Sequence, residues 1–535
     1  MRVGILDLLS DTMQSLVGRK GYGRYVRKQF MSIMPQAVAV WCRELGHEVH
    51  YATFWGQRDP MDLVPPELDV VFISAYTQCS ALAYALSIAF KRHGTLTVIG
   101  GPHARSFPTD ASRFFDIVVG DCDRTLIDDI LHRRIDPPAV VNAGHPLHDF
   151  PSVEERMPEI RVASYENGRP ISTSIVPILS SVGCPYSCNF CVDWNSDYRA
   201  FPASRLRNDL EYLSRNHPNL IVVYHDPNFA IRFDETMDVI TSLPVERRNR
   251  YMMESSLSVL KDHRIERLSA TNCIYIAPGI ESWGDYSRKA GTGSSTGRDK
   301  LNKVIQKMNI LSDHVPGIMA NFVFGTDADD GDEPAALTHE FIERLPEIWP
   351  NIQIPTPFGG SPLYDELMQS GRIISEMPFS FYFTPYLAIV LQNYDPISYY
   401  DYLIKLNEIA SSKKMAVRRL GTRQPLVMKF VNLLRTFATR RDIQDFRTIR
   451  DLLVTDRAFL AFHEGRTNTL PEYYAHNYRR RLGRFAELLP PSASTPILEQ
   501  PATTSAPTVL PISRRTVSGS NPTLVQASRR QSRLT

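Results

Sequence analysis

Short runs of strand-forming residues punctuate the first 120 positions at regular intervals. They fall at residues 2–6, 47–52, 69–74, 96–99 and 116–119. Runs of four to six residues, mostly apolar, fit strands covered on both faces. Between them, residues 36–45 repeat apolar side chains at helical spacing (Ala37, Val38, Val40, Trp41, Leu45) until Gly46, and residues 80–92 form a second, more apolar helix. Buried strands alternating with helices predict an α/β domain with a doubly wound parallel sheet over residues 1–149. Ligands on such sheets bind at the carboxyl ends of the strands. Small residues stand at two of those ends, Ser74 after the third strand and Gly100-Gly101 after the fourth.

A polar, proline-bearing connector spans 150–173, and then the alternation resumes. Strands are predicted at 174–179, 220–224, 250–254, 273–279, 318–324 and 352–356, with helical patterns between them. Six βα units over 174–375 are enough for a partial (β/α)6 barrel and too few for a closed eightfold one. From 376 to 490 the pattern becomes largely helical, with mixed-charge faces read as solvated. The aromatic cluster Phe379, Phe381, Tyr382 and Phe383 fits a core better than the wall of an apolar pocket. Residues 491–535, rich in Ser, Thr, Pro and Arg, are predicted to be a disordered tail.

Composition narrows the function classes. Sixty basic residues against 58 acidic ones leave a net charge of +2, without the basic excess of a phosphate-driven nucleic-acid binder. No apolar stretch reaches the length of a membrane span, and Asp7 interrupts the short apolar run at the start, so a cytoplasmic protein is expected. The seven cysteines are odd in number, which argues against a disulfide framework, and three of them lie within eight residues.

Those three, Cys184, Cys188 and Cys191, follow the first predicted barrel strand. Thiolates on one tight loop can converge on a metal centre. Structural zinc asks for four closed ligands, and no fourth Cys or His is close in sequence. A catalytic thiol needs one activated cysteine rather than three, and inert cysteines are usually dispersed. Iron-sulfur clusters commonly take four thiolates, so three would leave one iron open to a substrate or cofactor. The C-x3-C-x2-C spacing, with Phe190 before the last cysteine, resembles the signature of the radical S-adenosylmethionine (SAM) superfamily. The resemblance implies a [4Fe-4S] cluster on Cys184, Cys188 and Cys191 whose open iron chelates SAM. Reductive cleavage of SAM there yields a 5'-deoxyadenosyl radical.

Later segments resemble the cobalamin-dependent branch of that superfamily. They are Tyr224-His-Asp226-Pro-Asn228-Phe229, the strand end at Glu254, Gly279-Ile-Glu281-Ser282, Asn321 to Asp327 and Thr356 to Tyr364. Asp226, Glu254, Gly279, Glu281 and Ser282 are thereby implied as SAM contacts, with ordinary strand-end turns as the alternative for these stretches. The N-terminal sheet resembles a cobalamin-binding domain, with Ser74, Gly100 and Gly101 at the positions that meet the nucleotide loop. Gly120-Asp-Cys-Asp123 departs from that pattern by its shortened acids. No D-x-H-x-x-G is present. His103 is an axial candidate by proximity alone and reads better as a hydrogen-bonded surface histidine. The competing reading is a sheet of the same fold that binds nothing.

The resemblance implies a C-methyltransferase acting on an unactivated carbon. One SAM would methylate cobalamin and a second would generate the radical. A small-molecule or peptide substrate and an external electron donor such as flavodoxin or ferredoxin are the implied partners. Two other readings stay open: a non-methylating radical enzyme of cyclisation, rearrangement or oxidation, and a non-catalytic iron-sulfur or corrinoid carrier or sensor.

Overall fold

The computed structural model describes residues 1–12, 24–147, 149–194 and 196–501. Strands β1 (Arg2–Leu8), β2 (Glu48–Phe54), β3 (Val70–Ala75), β4 (Leu96–Gly100), β5 (Ile117–Val119) and β6 (Ala139–Val141) form one parallel sheet. Their order is β2-β1-β3-β4-β5-β6, which places the topological switch point between β1 and β3. Alternation sends Val3, Ile5, Val70 and Phe72 to one face and Leu6, Leu8, Val71 and Ile73 to the other. Both sets are buried in hydrophobic clusters, which is why these runs read as apolar without a polar face. β6 is absent from the sequence reading because Pro137 and Pro138 precede it. Proline is tolerated at such an edge position.

The connector carries a helix, Val153–Ser164, that its polarity and Pro158 conceal. Its signal is the capping box at Ser152 and Glu155, where each side chain satisfies the other's backbone N–H. Arg156 on this helix is 1% exposed. Its guanidinium donates to Gln36 Oε1 at 2.8 Å, to the Pro177 carbonyl at 3.1 Å and to the Pro151 carbonyl at 3.3 Å. Burial pulls its pKa down to about 10. One side chain thus ties a helix of the first sheet to the first barrel strand.

That strand is β7 (Ile175–Ile178). Two-residue strands β8 (Ser181–Val182) and β9 (Arg199–Ala200) follow. The barrel continues with β10 (Ile221–Tyr224), β11 (Tyr251–Ser255), β12 (Cys273–Glu281), β13 (Gly317–Val323) and β14 (Trp349–Gln353). The six long strands run parallel in the order β14-β13-β12-β11-β10-β7, an open barrel wall with β7 and β14 at its edges. β14 begins three residues before the predicted run.

Helices Pro396–Ala410, Lys413–Leu420, Leu426–Thr455, Arg457–His463 and Glu472–Leu482 build the C-terminal region. Phe379, Phe381 and Tyr382 are core, not pocket wall. Phe379 packs on Phe107 of the first sheet's layer with ring centroids 4.1 Å apart. The stretch expected to start a tail is anchored up to residue 500. Arg113 donates to the Ser492 and Thr495 carbonyls, and Glu499 accepts from the Thr109 N–H and hydroxyl. Its polar composition hid these bonds because their partners lie some 380 residues away. Residues 502–535 of that expected tail lie outside the described residues. Among the described residues no helix is long and apolar enough to cross a membrane.

Candidate cofactor site at the carboxyl ends of two sheets

The cysteine loop leaves β7 and is closed at its neck by the antiparallel β8–β9 pair, Ser181 opposite Ala200 and Val182 opposite Arg199. Gly183 follows with φ +70°, and a Cβ there would collide with the Asp197 carbonyl. Only glycine fits. Cys184 and Cys188 are buried and Cys191 is half-buried. Burial raises all three thiols above the ordinary range. Neighbouring cysteines push the same way, and Lys289 opposes. Burial works against the Lys289 ammonium too, yet Glu281 and the three cysteines leave it above the ordinary lysine range. Phe190 stacks on Tyr286 with centroids 5.2 Å apart and 12° between planes, and Lys289 lies 5.9 Å from the Phe190 centroid. Among the described residues no three His, Cys, Asp or Glu side chains gather closely enough to hold a single metal ion. A cube of four irons asks for a wider spread of donors.

The five residues implied as SAM contacts stand at or just beyond the carboxyl ends of β10, β11 and β12. Asp226, after β10, turns back onto the root of the loop. It accepts from Ser180 N at 3.0 Å, and from the Ser180 and Ser181 hydroxyls at 2.6 Å each. Burial raises its carboxyl, against those hydrogen bonds. Glu254 keeps an accessible side chain, and desolvation raises its carboxyl against the pull of Lys289. Glu281 has φ +65° at an irregularity in the β12–β13 register, and its carboxylate folds back over Gly279. A Cβ on Gly279 would meet the end of that flexible side chain, so a larger residue there would have to displace the carboxylate. Burial pushes the Glu281 carboxyl up to about 7, against Lys289 and Lys300. Ser282 donates to Asp329 Oδ1 at 2.6 Å, and Lys300 donates to the Ser282 carbonyl at 2.5 Å, so this serine pins the loop after β12. A further chain of bonds runs from Asn228 through Ser256 and Ser258 to the Tyr186 hydroxyl inside the cysteine loop.

Facing the loop across a cavity of about 770 Å³ are the carboxyl ends of the first sheet. Ser74, Gly100 and Gly101 line it from one side. Gly183, Val192 and Asp193 line it from the other. A Cβ on Gly100 would meet nothing closer than the Val119 carbonyl at 3.9 Å, whereas Gly101 has φ +90° and lies tight against Ser74 and Ala75. The two glycines therefore differ. Gly100 leaves open space at the cavity wall, and Gly101 permits the turn. Arg105 clamps the two walls, donating to Asp193 Oδ1 at 2.8 Å and Ser196 Oγ at 3.2 Å. The barrel-closing stretch joins them: Trp194 donates to the Gly360 carbonyl at 2.8 Å, and a Cβ on Gly359 would collide with the Ser106 carbonyl.

His103 is buried, not on the surface. Its Nε2 lies 2.5 Å from the Tyr84 hydroxyl, which also donates to Asp110, and burial pulls its pKa down to about 3. It is a neutral core imidazole and does not line the cavity. Sequence reasoning passed over two residues. His225 lines the cavity, and burial lowers its pKa to about 4; it stands one position before the Asp226 that drew attention. Lys289 has no local signal, since only folding brings it to the thiols.

A parallel sheet of the flavodoxin order leads into an open six-stranded barrel whose first strand delivers the C-x3-C-x2-C loop, the arrangement that the resemblance to radical SAM enzymes implies. The particular relatives sharpen this. No family model matches the chain. The chain is 25% identical over 400 residues to bacteriochlorophyllide d C-8(2)-methyltransferase of Chlorobaculum tepidum, spanning 70% of this chain and 84% of that protein. It is 23% identical over 327 residues to bacteriochlorophyllide d C-12(1)-methyltransferase of the same organism, spanning 58% and 69%. In fold it is similar to the cobalamin-dependent SAM radical enzyme OxsB, solved with aqua-cobalamin bound. The TM-score is 0.55 at 11% identity, over 91% of this chain and 79% of that one. In sequence the chain thus resembles these two methyltransferases, and in fold it resembles the cobalamin-dependent SAM radical enzyme OxsB.

Proposed function

We propose that this protein transfers methyl groups to an unactivated carbon, using a [4Fe-4S] cluster, SAM and cobalamin. One observation carries the reading: the cysteine loop and the glycine-edged strand ends of the first sheet line a single cavity. When bound, the cluster supplies the electron that cleaves SAM and cobalamin carries the methyl group, so the hard chemistry belongs to the cofactors. Cys184, Cys188 and Cys191 would hold the cluster. Their buried thiols repel one another as anions, a cost that iron and the Lys289 cation would offset. Glu254, Gly279 and Glu281 would meet SAM, with Asp226 and Ser282 positioning the loops that carry the site. Ser74, Gly100 and Gly101 would meet the corrinoid tail, where the missing Cβ of Gly100 leaves room for it. An external reductant of the flavodoxin or ferredoxin class would deliver the electron. An oxygen-sensitive cluster and thiols free of disulfides suit the reducing cytoplasm.

Anaerobic protein, reconstituted with iron, sulfide and cobalamin, tests the reading when given methyl-labelled SAM and dithionite. The expected result is label on the protein-bound corrinoid together with 5'-deoxyadenosine. Bacteriochlorophyllide d, the compound in the names of both relatives, is the first acceptor to try. Deoxyadenosine without label on corrinoid or acceptor would favour a non-methylating radical reaction.

Gly100→Leu offers an independent check. Its backbone lies outside the left-handed region and its Cβ has free space, so the variant should fold within about 1 kcal/mol of the parent. Its isobutyl group would occupy the cavity. Cobalamin retained after gel filtration should fall about tenfold or more, while iron content stays unchanged. Full cobalamin retention would move the corrinoid site away from this strand end.

A further inference from the structure

We propose that the Lys413–Leu420 and Leu426–Thr455 helices form a docking surface for an anionic phospholipid membrane. The segment 411–441 holds nine Lys or Arg and no Asp or Glu, in a chain whose 60 basic and 58 acidic residues nearly balance over its whole length. On the same segment stand the three most exposed large apolar side chains of the described residues, Leu426, Val427 and Val417. Leu426 is 82% exposed and Phe430 60%; Val427, Leu434 and Phe437 are each more than half exposed.

At about 100° per residue these five fall within roughly 100° of arc on one face of the Leu426–Thr455 helix. The opposite face is spent on the fold: Asn432, Thr436, Ile443 and Phe446 are buried there. Val417 at 68% and Leu420 at 50% exposure extend the apolar surface onto the preceding helix. Scattered exposed apolar residues are ordinary, but a contiguous stripe is not.

Lys413, Arg423 and Lys429 edge this surface. Lys and Arg beside an apolar stripe of Leu, Val and Phe suit a helix lying in the plane of an anionic bilayer, with the apolar side chains in the acyl boundary and the cations at the headgroups. Arg419 is buried, and Lys414 pairs with Glu343, so Lys413, Arg423 and Lys429 carry the argument; a second copy of the chain is disfavoured as the occupant because these cations would face their own copies. Nucleic acid would leave the branched aliphatic side chains without a partner. The inference does not depend on the methyl-transfer reading, since none of these residues lines the cofactor cavity.

Sedimentation of the full chain with vesicles tests it. With about one-third phosphatidylglycerol in phosphatidylcholine, most of the protein should pellet, and pure phosphatidylcholine should bind about tenfold less. Raised salt should weaken the binding. Lys413→Glu, Arg423→Glu and Lys429→Glu combined should reduce affinity about a hundredfold, from the typical contribution of each cation near an anionic surface. Phe430→Ser with Phe437→Ser should reduce it about tenfold or more. Both variants alter exposed positions, so iron content and melting midpoint should not change. The proposal is overturned if the parent stays in the supernatant with anionic vesicles, or if both variants bind as the parent does. It is also overturned if the parent elutes as a dimer that the Phe variant converts to monomer without any vesicle binding.

Discussion

Alanine at Cys184, Cys188 or Cys191, one at a time, is expected to strip the protein of its iron and to reduce SAM cleavage about a thousandfold or more. The size of the effect follows from geometry. Three proposed ligands on one short loop would share a single cluster, so losing one would leave a corner of the cube without a protein donor. The fold should barely register the change. These thiols are raised by burial and are therefore neutral before iron binds. Deleting one buried sulfur from such a site costs about 1 kcal/mol. Cys273→Ala is the matched control. This thiol is buried in β12, where desolvation pushes it up to about 12, and it packs in the barrel core. It should lose comparable stability and keep its iron. Iron and sulfide analysis beside a thermal melt of each apo-protein separates the two cases. Full iron retention in any loop variant would remove that cysteine from the ligand set.

The second large effect is expected at Asp226. Its carboxylate accepts one backbone N–H and two hydroxyls from Ser180 and Ser181, the residues that lead into the neck of the cysteine loop. Asp226→Asn keeps the shape but turns an amide NH2 toward donors that need an acceptor. About 1–3 kcal/mol of stability should be lost, with a fall in iron retention because the loop loses its anchor. Single Ser180→Ala and Ser181→Ala changes should cost about 1 kcal/mol each.

The pH dependence has a definite sign. Burial is the largest influence on Asp226 and raises its pKa in the folded protein. Between the ordinary value and the raised one, the folded protein holds a proton that the unfolded chain has released. Ionising Asp226 therefore lowers stability as pH rises through that window, and Asp226→Asn should flatten this part of the stability–pH curve. Unchanged stability and iron content, with weakened SAM binding, would instead give Asp226 the direct SAM contact that the motif resemblance implies.

The legible parts of the molecule are those whose cause is local. β1, β3 and β4 announce themselves because both their faces are buried, leaving unbroken apolar runs. Gly100-Gly101 and Gly279 were singled out on motif alone. Their surroundings emerge only from the fold: Gly101 turns with φ +90° against Ser74, and Gly279 lies beneath the folded-back Glu281 carboxylate. The Val153–Ser164 helix was masked by Pro158 and by polar residues, although its capping box was in plain view. His103 is buried rather than on the surface, which stays hidden in the sequence because a histidine inside the five-residue helix Pro102–Ser106 carries no local mark of the aromatic core around it.

Covalent spacing alone determined that three thiols share one loop after a strand, and periodicity alone determined two successive βα series. Both follow from what the chain does within about ten residues, where bond geometry and side-chain alternation set the outcome. Only the folded structure decided that the cysteine loop closes against Gly100, that Lys289 reaches the thiols and that residues up to 500 dock on Arg113 and Thr109. The same holds for the apolar stripe from Leu426 to Phe437, which stays exposed among the described residues. Such pairings join residues from tens to hundreds of positions apart. Periodicity tells a helix which face is apolar; packing decides whether anything arrives to cover it.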